Sequence, residues 1–134
     1  MRNKPLILVV DDEGSFLDVI TTKLKAAGFD TATARSATEG IKATEELLPD
    51  LVLMDIYLPP GQNGADAAIT LKQNPKTKDV KIAFLSGLKD PWPSLSGDKK
   101  AVCKELGMED FWEKTEDLNE LLEKTKALLA KDNG

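Results

Sequence analysis

The chain of 134 residues has no histidine and a single cysteine, Cys103. A lone thiol forms no internal disulfide, and without histidine the usual zinc ligand sets cannot be assembled. The free thiol points to a reducing compartment. A basic stripe is missing too: Asp and Glu number 23 against 18 for Lys and Arg, a net charge of −5 and a pI near 4.8. That balance argues against a general nucleic-acid-binding surface. No apolar run approaches the ~20 residues of a membrane span. The opening Met1-Arg2-Asn3-Lys4-Pro5 lacks the long apolar stretch of a signal peptide. Repeats and low-complexity segments are absent. The expectation is a soluble, cytoplasmic protein, monomeric or weakly dimeric, with no membrane and no direct nucleic-acid partner.

What is present suits one globular domain spanning 1–134. A chain of 14.6 kDa with 41% hydrophobic residues can bury roughly 70% of its unfolded surface and needs no staple. Short continuous apolar runs alternate with longer stretches of helical periodicity, the sign of parallel α/β structure. Leu6–Val10, Leu51–Met54 and Val80–Leu85 read as central strands covered on both faces. Asp30–Ala34 and Asp110–Glu113 are more polar and suit strands nearer the edges. Phe16, Val19, Ile20, Leu24 and Ala27 recur at helical steps, and Gly28 stands where a helix terminates. Ser36-Ala37-Thr38-Glu39 has the capping-box spacing for a second helix that stops before Pro49. A third helix is predicted from about Ala65 to Gln73 and a fourth from about Asp98 to Leu106. In the last helix Leu118, Leu121, Leu122, Leu128 and Leu129 share one stripe.

Ligands of such open sheets bind beyond the carboxyl ends of the strands. Asp11-Asp12 follow the first strand, Asp55 the third, Ser86 the fourth and Lys114 the fifth. Three converging carboxylates repel one another unless a cation is present, and a hard divalent ion such as Mg²⁺ accepts oxygen ligands. A lysine and a hydroxyl beside that ion supply what phosphoryl oxygens require. Taken singly, each residue has a plainer role: Asp11-Asp12 as a helix N-cap, Asp55 and Ser86 as turn residues, Lys114 as a solvated charge. Their joint occurrence, in order and each at a strand end, is what is specific.

With these residues in place, the chain resembles a response-regulator receiver domain of two-component signalling, chemotaxis-regulator-like, over nearly its whole length. The segments that carry the resemblance are Leu6-Ile7-Leu8-Val9-Val10-Asp11-Asp12-Glu13, Leu53-Met54-Asp55-Ile56-Tyr57-Leu58-Pro59, Ala83-Phe84-Leu85-Ser86-Gly87 and Asp110-Phe111-Trp112-Glu113-Lys114. The resemblance implies a flavodoxin-like, doubly wound α/β fold with a five-stranded parallel sheet of order 2-1-3-4-5. It implies that Asp55 is the phosphoacceptor, served by a sensor histidine kinase or a histidine phosphotransfer protein. By the same resemblance Asp11, Asp12, Asp55 and the Tyr57 carbonyl hold Mg²⁺. Lys114 and Ser86 then bind the phosphoryl oxygens, and Phe111 is the aromatic switch. The implied readout is a downstream protein target at the face made by the helix near 98–106, the fifth strand and the last helix. No output domain is expected, and the domain catalyses its own phosphotransfer and dephosphorylation without being an enzyme acting on others.

Some features depart from the family pattern. Thr115 stands where the family has a proline after the lysine, so a trans Lys114-Thr115 bond is expected. The stretch from Asp55 to Gly64 is one residue longer than the commonest loop and is taken as neutral. The segment 89–97, with Trp92 between Pro91 and Pro93, lengthens the chain between Ser86 and Gly107. Trp92 is read either as packed on its own domain or as a partner-binding or site-shielding element. Tyr57 and Leu88, two residues after Asp55 and Ser86, carry no group to orient a hydrolytic water, so a long-lived phosphoryl state is expected. Two alternatives remain: a pseudo-receiver that docks partners without phosphorylation, and a haloacid-dehalogenase-like phosphatase with Asp11 as nucleophile in Asp11-Asp12-Glu13-Gly14-Ser15.

Overall fold

Alternation of apolar residues along three short strands decides how the layers form. In the computed structural model, which describes residues 4–56, 64–86, 108–114 and 117–130, Leu8, Val10, Val52, Met54, Ile82 and Phe84 face one side of the sheet. Ile7, Val9, Leu51, Leu53, Ala83 and Leu85 face the other. All of these are buried, so the strands are hydrophobic on both faces and need a helical layer on each.

The strands are β1 (Leu6–Val10), β2 (Asp30–Ala34), β3 (Leu51–Asp55), β4 (Lys81–Ser86) and β5 (Asp110–Glu113). The helices are α1 (Gly14–Ala26), α2 (Ala37–Leu47), α3 (Gly64–Gln73) and α4 (Leu118–Ala130). The expected flavodoxin-like parallel α/β arrangement is present: all pairings are parallel, and the sheet runs β2-β1-β3-β4-β5. Ala67, Ala68 and Leu71 of α3 and Ala37 of α2 cover one face. Leu17, Ile20 and Leu24 of α1 and Leu121, Leu128 and Leu129 of α4 cover the other, together with Trp112. Each leucine or isoleucine among them, fully buried, contributes about 1.5–3 kcal/mol.

Local chemistry sets the element ends. Gly28 has φ 98°, the left-handed residue foreseen after α1. Ser36 caps α2 by accepting a bond from the Glu39 N–H at 3.1 Å. Glu39 reaches back one residue further than a capping box requires, accepting from the Arg35 N–H at 3.1 Å. α2 ends at Leu48 in a left-handed conformation, φ 47°, without a glycine.

The plainer alternative for Asp11-Asp12, a cap on α1, falls away, because the N-cap is Glu13, whose side chain makes no cap bond. One expectation is corrected. Val19, placed on the buried stripe of α1 by periodicity, is 48% exposed, and Leu17 takes the core position. The buried stripe runs through Leu17, Ile20 and Leu24, with Phe16 partly buried beside it. The predicted helix near 98–106, the 89–97 segment with Trp92, Leu88, Cys103, Tyr57 and Thr115 all lie outside the described residues.

Candidate functional site at the carboxyl edge of the sheet

Register brings the site together. Val10 pairs with Met54, so Asp11, the next residue, stands level with Asp55. Asp55 in turn pairs with Leu85, and Ser86 with Glu113, which puts Lys114 one step beyond the edge. Asp55 and Ser86 are thus the last residues of their strands rather than the first after them. Ser86 and Phe111 are placed by their backbone; Phe111 is opposite Phe84 in the ladder.

Asp11, Asp12 and Asp55 each offer a carboxylate oxygen within 4.8 Å of the others. Asp11 is wholly buried and Asp55 is 3% exposed. One Asp11 oxygen, Oδ1, accepts the Glu13 N–H at 2.9 Å and pins the turn into α1. Its other oxygen, Oδ2, is buried with no aligned hydrogen bond among the described residues. Lys114 Nζ stands 2.9 Å from Oδ2 as an ion pair. A buried carboxylate oxygen is costly without a cation, and here the Lys114 ammonium is the one that meets it. Burial raises the Asp11 pKa above its ordinary value, opposed by the Glu13 N–H and by Lys114. The set fits a hard divalent cation: oxygen donors only, close enough to share one ion, with two of the three carboxylates buried.

Lys114 is the counter-charge. Its Nζ lies 2.6 Å from Glu13 Oε1, 2.9 Å from Asp11 Oδ2 and 3.5 Å from Asp55 Oδ2. It also sits 4.9 Å from the centre of the Phe16 ring. Burial works against its charge, but Glu13, then Asp11 and Asp55, outweigh that and hold its pKa above the ordinary lysine value. Glu13 and Phe16 were not among the expected site residues. Glu13 stands next to the acidic pair, but nothing in a linear reading tells that it meets a lysine 101 positions away.

Two further residues shape the edge. A side chain on Gly64 would collide with the Asp55 carbonyl oxygen, so only glycine lets α3 begin this close to the site. Its N–H donates to the Ile56 carbonyl at 2.7 Å. Arg35, from the end of β2, donates to the Asp12 carbonyl at 3.1 Å and steadies that turn from the other side.

Comparison with known proteins agrees with this fold. Residues 7–126 match the family described as the response regulator receiver domain. The chain is 35% identical over 127 residues to the DNA-binding response regulator MtrA of Mycobacterium leprae (strain TN), covering 95% of this chain and 52% of that protein. It is 28% identical over 125 residues to the DNA-binding dual master transcriptional regulator RpaA of Synechocystis sp., covering 93% of this chain and 49% of that one. The chain therefore spans about half the length of the curated relatives it matches. Among solved structures, a CheY-like receiver domain protein from Methanospirillum hungatei JF-1 superposes with a TM-score of 0.83 at 25% identity, over 98% of both chains. The N-terminal domain of a response regulator receiver protein from Methanoculleus marisnigri JR1 gives 0.70 at 31% identity, over 94% of this chain and 97% of that one.

Proposed function

This chain belongs to the response regulator receiver domain family, and we propose that it accepts a phosphoryl group on Asp55 from a phosphohistidine of a sensor kinase or phosphotransfer protein. The observation that carries this reading is the meeting of Asp11, Asp12 and Asp55 with Lys114 at one edge of the sheet. Asp55 Oδ attacks the phosphorus, the P–N bond of the donor breaks, and the imidazole leaves with the nitrogen's electron pair and takes up a proton. Lys114 pairs with the phosphoryl oxygens, and the Ser86 hydroxyl donates to one of them. Phe111 follows as the aromatic switch.

Asp11, Asp12 and Asp55, with the Tyr57 carbonyl, are the residues that would hold Mg²⁺. When bound, the ion offsets the negative charge gathered between the carboxylates and the phosphoryl group. Phosphorylation moves a pre-existing equilibrium, because the added charge is satisfied only in the rearranged state. The target would be a protein that reads the face made by the segment 98–106, β5 and α4. We take the domain to work in the cytoplasm as a phosphoacceptor, and its phosphoryl state to be long-lived because Tyr57 and Leu88 offer no group to orient water.

Intact mass after incubation with phosphoramidate, with and without Mg²⁺, tests the reading. One added phosphoryl group that needs Mg²⁺ and is lost in Asp55→Ala is expected. No adduct on a folded, Mg²⁺-binding protein would replace the reading with a docking pseudo-receiver. Phosphate release that depends on Asp11 and not on Asp55 would replace it with a phosphatase. Decay of the adduct within seconds in Mg²⁺ would refute the long-lived state.

A further inference from the structure

Lys114 presents three N–H donors and, among the described residues, pairs with three carboxylates, of which only that of Glu13 is accessible. Glu13 is 59% exposed, whereas the side chains of Asp11 and Asp55 are 0% and 4% exposed. Yet the exposed Glu13 makes the shortest contact, 2.6 Å, and Asp55 the longest, 3.5 Å. The Phe16 ring closes another side of the ammonium at 4.9 Å. A phosphoryl group on Asp55 draws the ammonium outward, from a 3.5 Å contact with the carboxylate onto the added oxygens, and that movement lengthens its contact with another partner. Glu13 is the partner released at least cost, since water takes over its exposed carboxylate on release, whereas the buried Asp11 and Asp55 lose their ion pair out of reach of water.

We infer that Glu13 is a positioning residue that holds Lys114 in the unphosphorylated protein and lets go when Asp55 carries a phosphoryl group. This rests on the reading of Asp55 as phosphoacceptor. Glu13 then acts on one side of the equilibrium only: it slows phosphoryl uptake and leaves the lifetime of the phosphorylated state alone. The exposed pair is weak, so the expected acceleration on its removal is roughly two- to fivefold.

The test uses Glu13→Gln and Glu13→Asp. Gln gives up the ion pair; Asp keeps the charge but is one methylene too short for a 2.6 Å contact from the same backbone position. Uptake from phosphoramidate and decay of the adduct are followed by intact mass, with thermal melting as a control for folding. The Lys114 ammonium signal in ¹⁵N NMR is recorded without any phosphodonor. Both variants should take up the phosphoryl group two- to fivefold faster with unchanged decay, and their ammonium signal should weaken through faster exchange with water. An Asp variant that behaves as the native chain would mean that Glu13 acts through charge alone, which overturns the inference. Uptake and decay changing together, or neither changing, overturns it as well. If the native chain takes up no phosphoryl group, the reading of Asp55 fails. The ammonium signal still decides the latch, which falls if both variants keep the native signal.

Discussion

The two ends of the sheet are built with the same residue type and behave in opposite ways. At the amino end, exposed Asp50 accepts the Leu6 N–H at 2.7 Å, while its own N–H donates to the Leu6 carbonyl at 2.9 Å. Exposed Asp30 likewise donates its N–H to the Pro5 carbonyl at 2.9 Å. The Asp50 side chain there settles a backbone group that the strand end leaves over, and both carboxylates stay exposed. At the carboxyl end, Asp11 and Asp55 are buried beside each other, and one Asp11 oxygen is left without an aligned hydrogen bond among the described residues. The lesson is that aspartate is a stabilising end-group where its charge stays wet, and a stored cost where two or three are buried together. Functional sites hold such costs against the stability of the rest of the molecule.

This contrast can be broken at several points. The largest effect is expected from Asp55→Asn, which should abolish phosphoryl uptake measured by intact mass, while Asp50→Asn leaves uptake unchanged. Equal loss in both would erase the distinction between the ends. Next in size, Mg²⁺ at a hundredfold excess over its dissociation constant should raise the unfolding free energy by about 2.7 kcal/mol. That gain should vanish in Asp11→Asn and persist in Asp50→Asn, as read from urea melts at fixed Mg²⁺.

In the metal-free protein at neutral pH, Asp11→Asn should stabilise by about 1 kcal/mol, because it removes a buried charge. The pH dependence fixes the sign. Burial raises the folded-state pKa of Asp11 above 3.8, so its penalty is present in full above the folded value and is relieved as pH falls through it toward 3.8. The gap between Asp11→Asn and the native chain should therefore close on acidification, and a gap that widens would contradict the burial argument. An effect of similar size belongs to the amino end. Asp50→Ala should destabilise by about 0.5–1.5 kcal/mol through loss of the Leu6 bond, opposite in sign to Asp11→Asn, with no change in Mg²⁺ affinity by titration calorimetry.

Much of the core was legible because strand periodicity is local. Leu6–Val10 and Leu51–Met54 alternate between two faces whatever surrounds them, and a strand that is apolar on both faces must be covered twice. The acidic residues at the strand ends were legible for the same reason: position along a strand fixes which edge a residue reaches. Helix faces were less so. On α1 the choice between Leu17 and Val19 turns on a rotation of the helix that the spacing of apolar residues leaves open. The capping of α1 by Glu13 rather than Asp11-Asp12 depends on Asp11 being drawn into the buried site.

The sequence by itself determined the parallel α/β class, the boundaries of most strands and the set of acidic residues at the carboxyl edge, because each follows from a pattern within a few neighbouring residues. Only the tertiary structure decided which of those acids Lys114 holds, that Glu13 is among them, and that nothing larger than glycine fits at position 64. Those facts depend on distances between segments far apart in the chain, and such distances exist only once the strands have paired and the helices have packed on them.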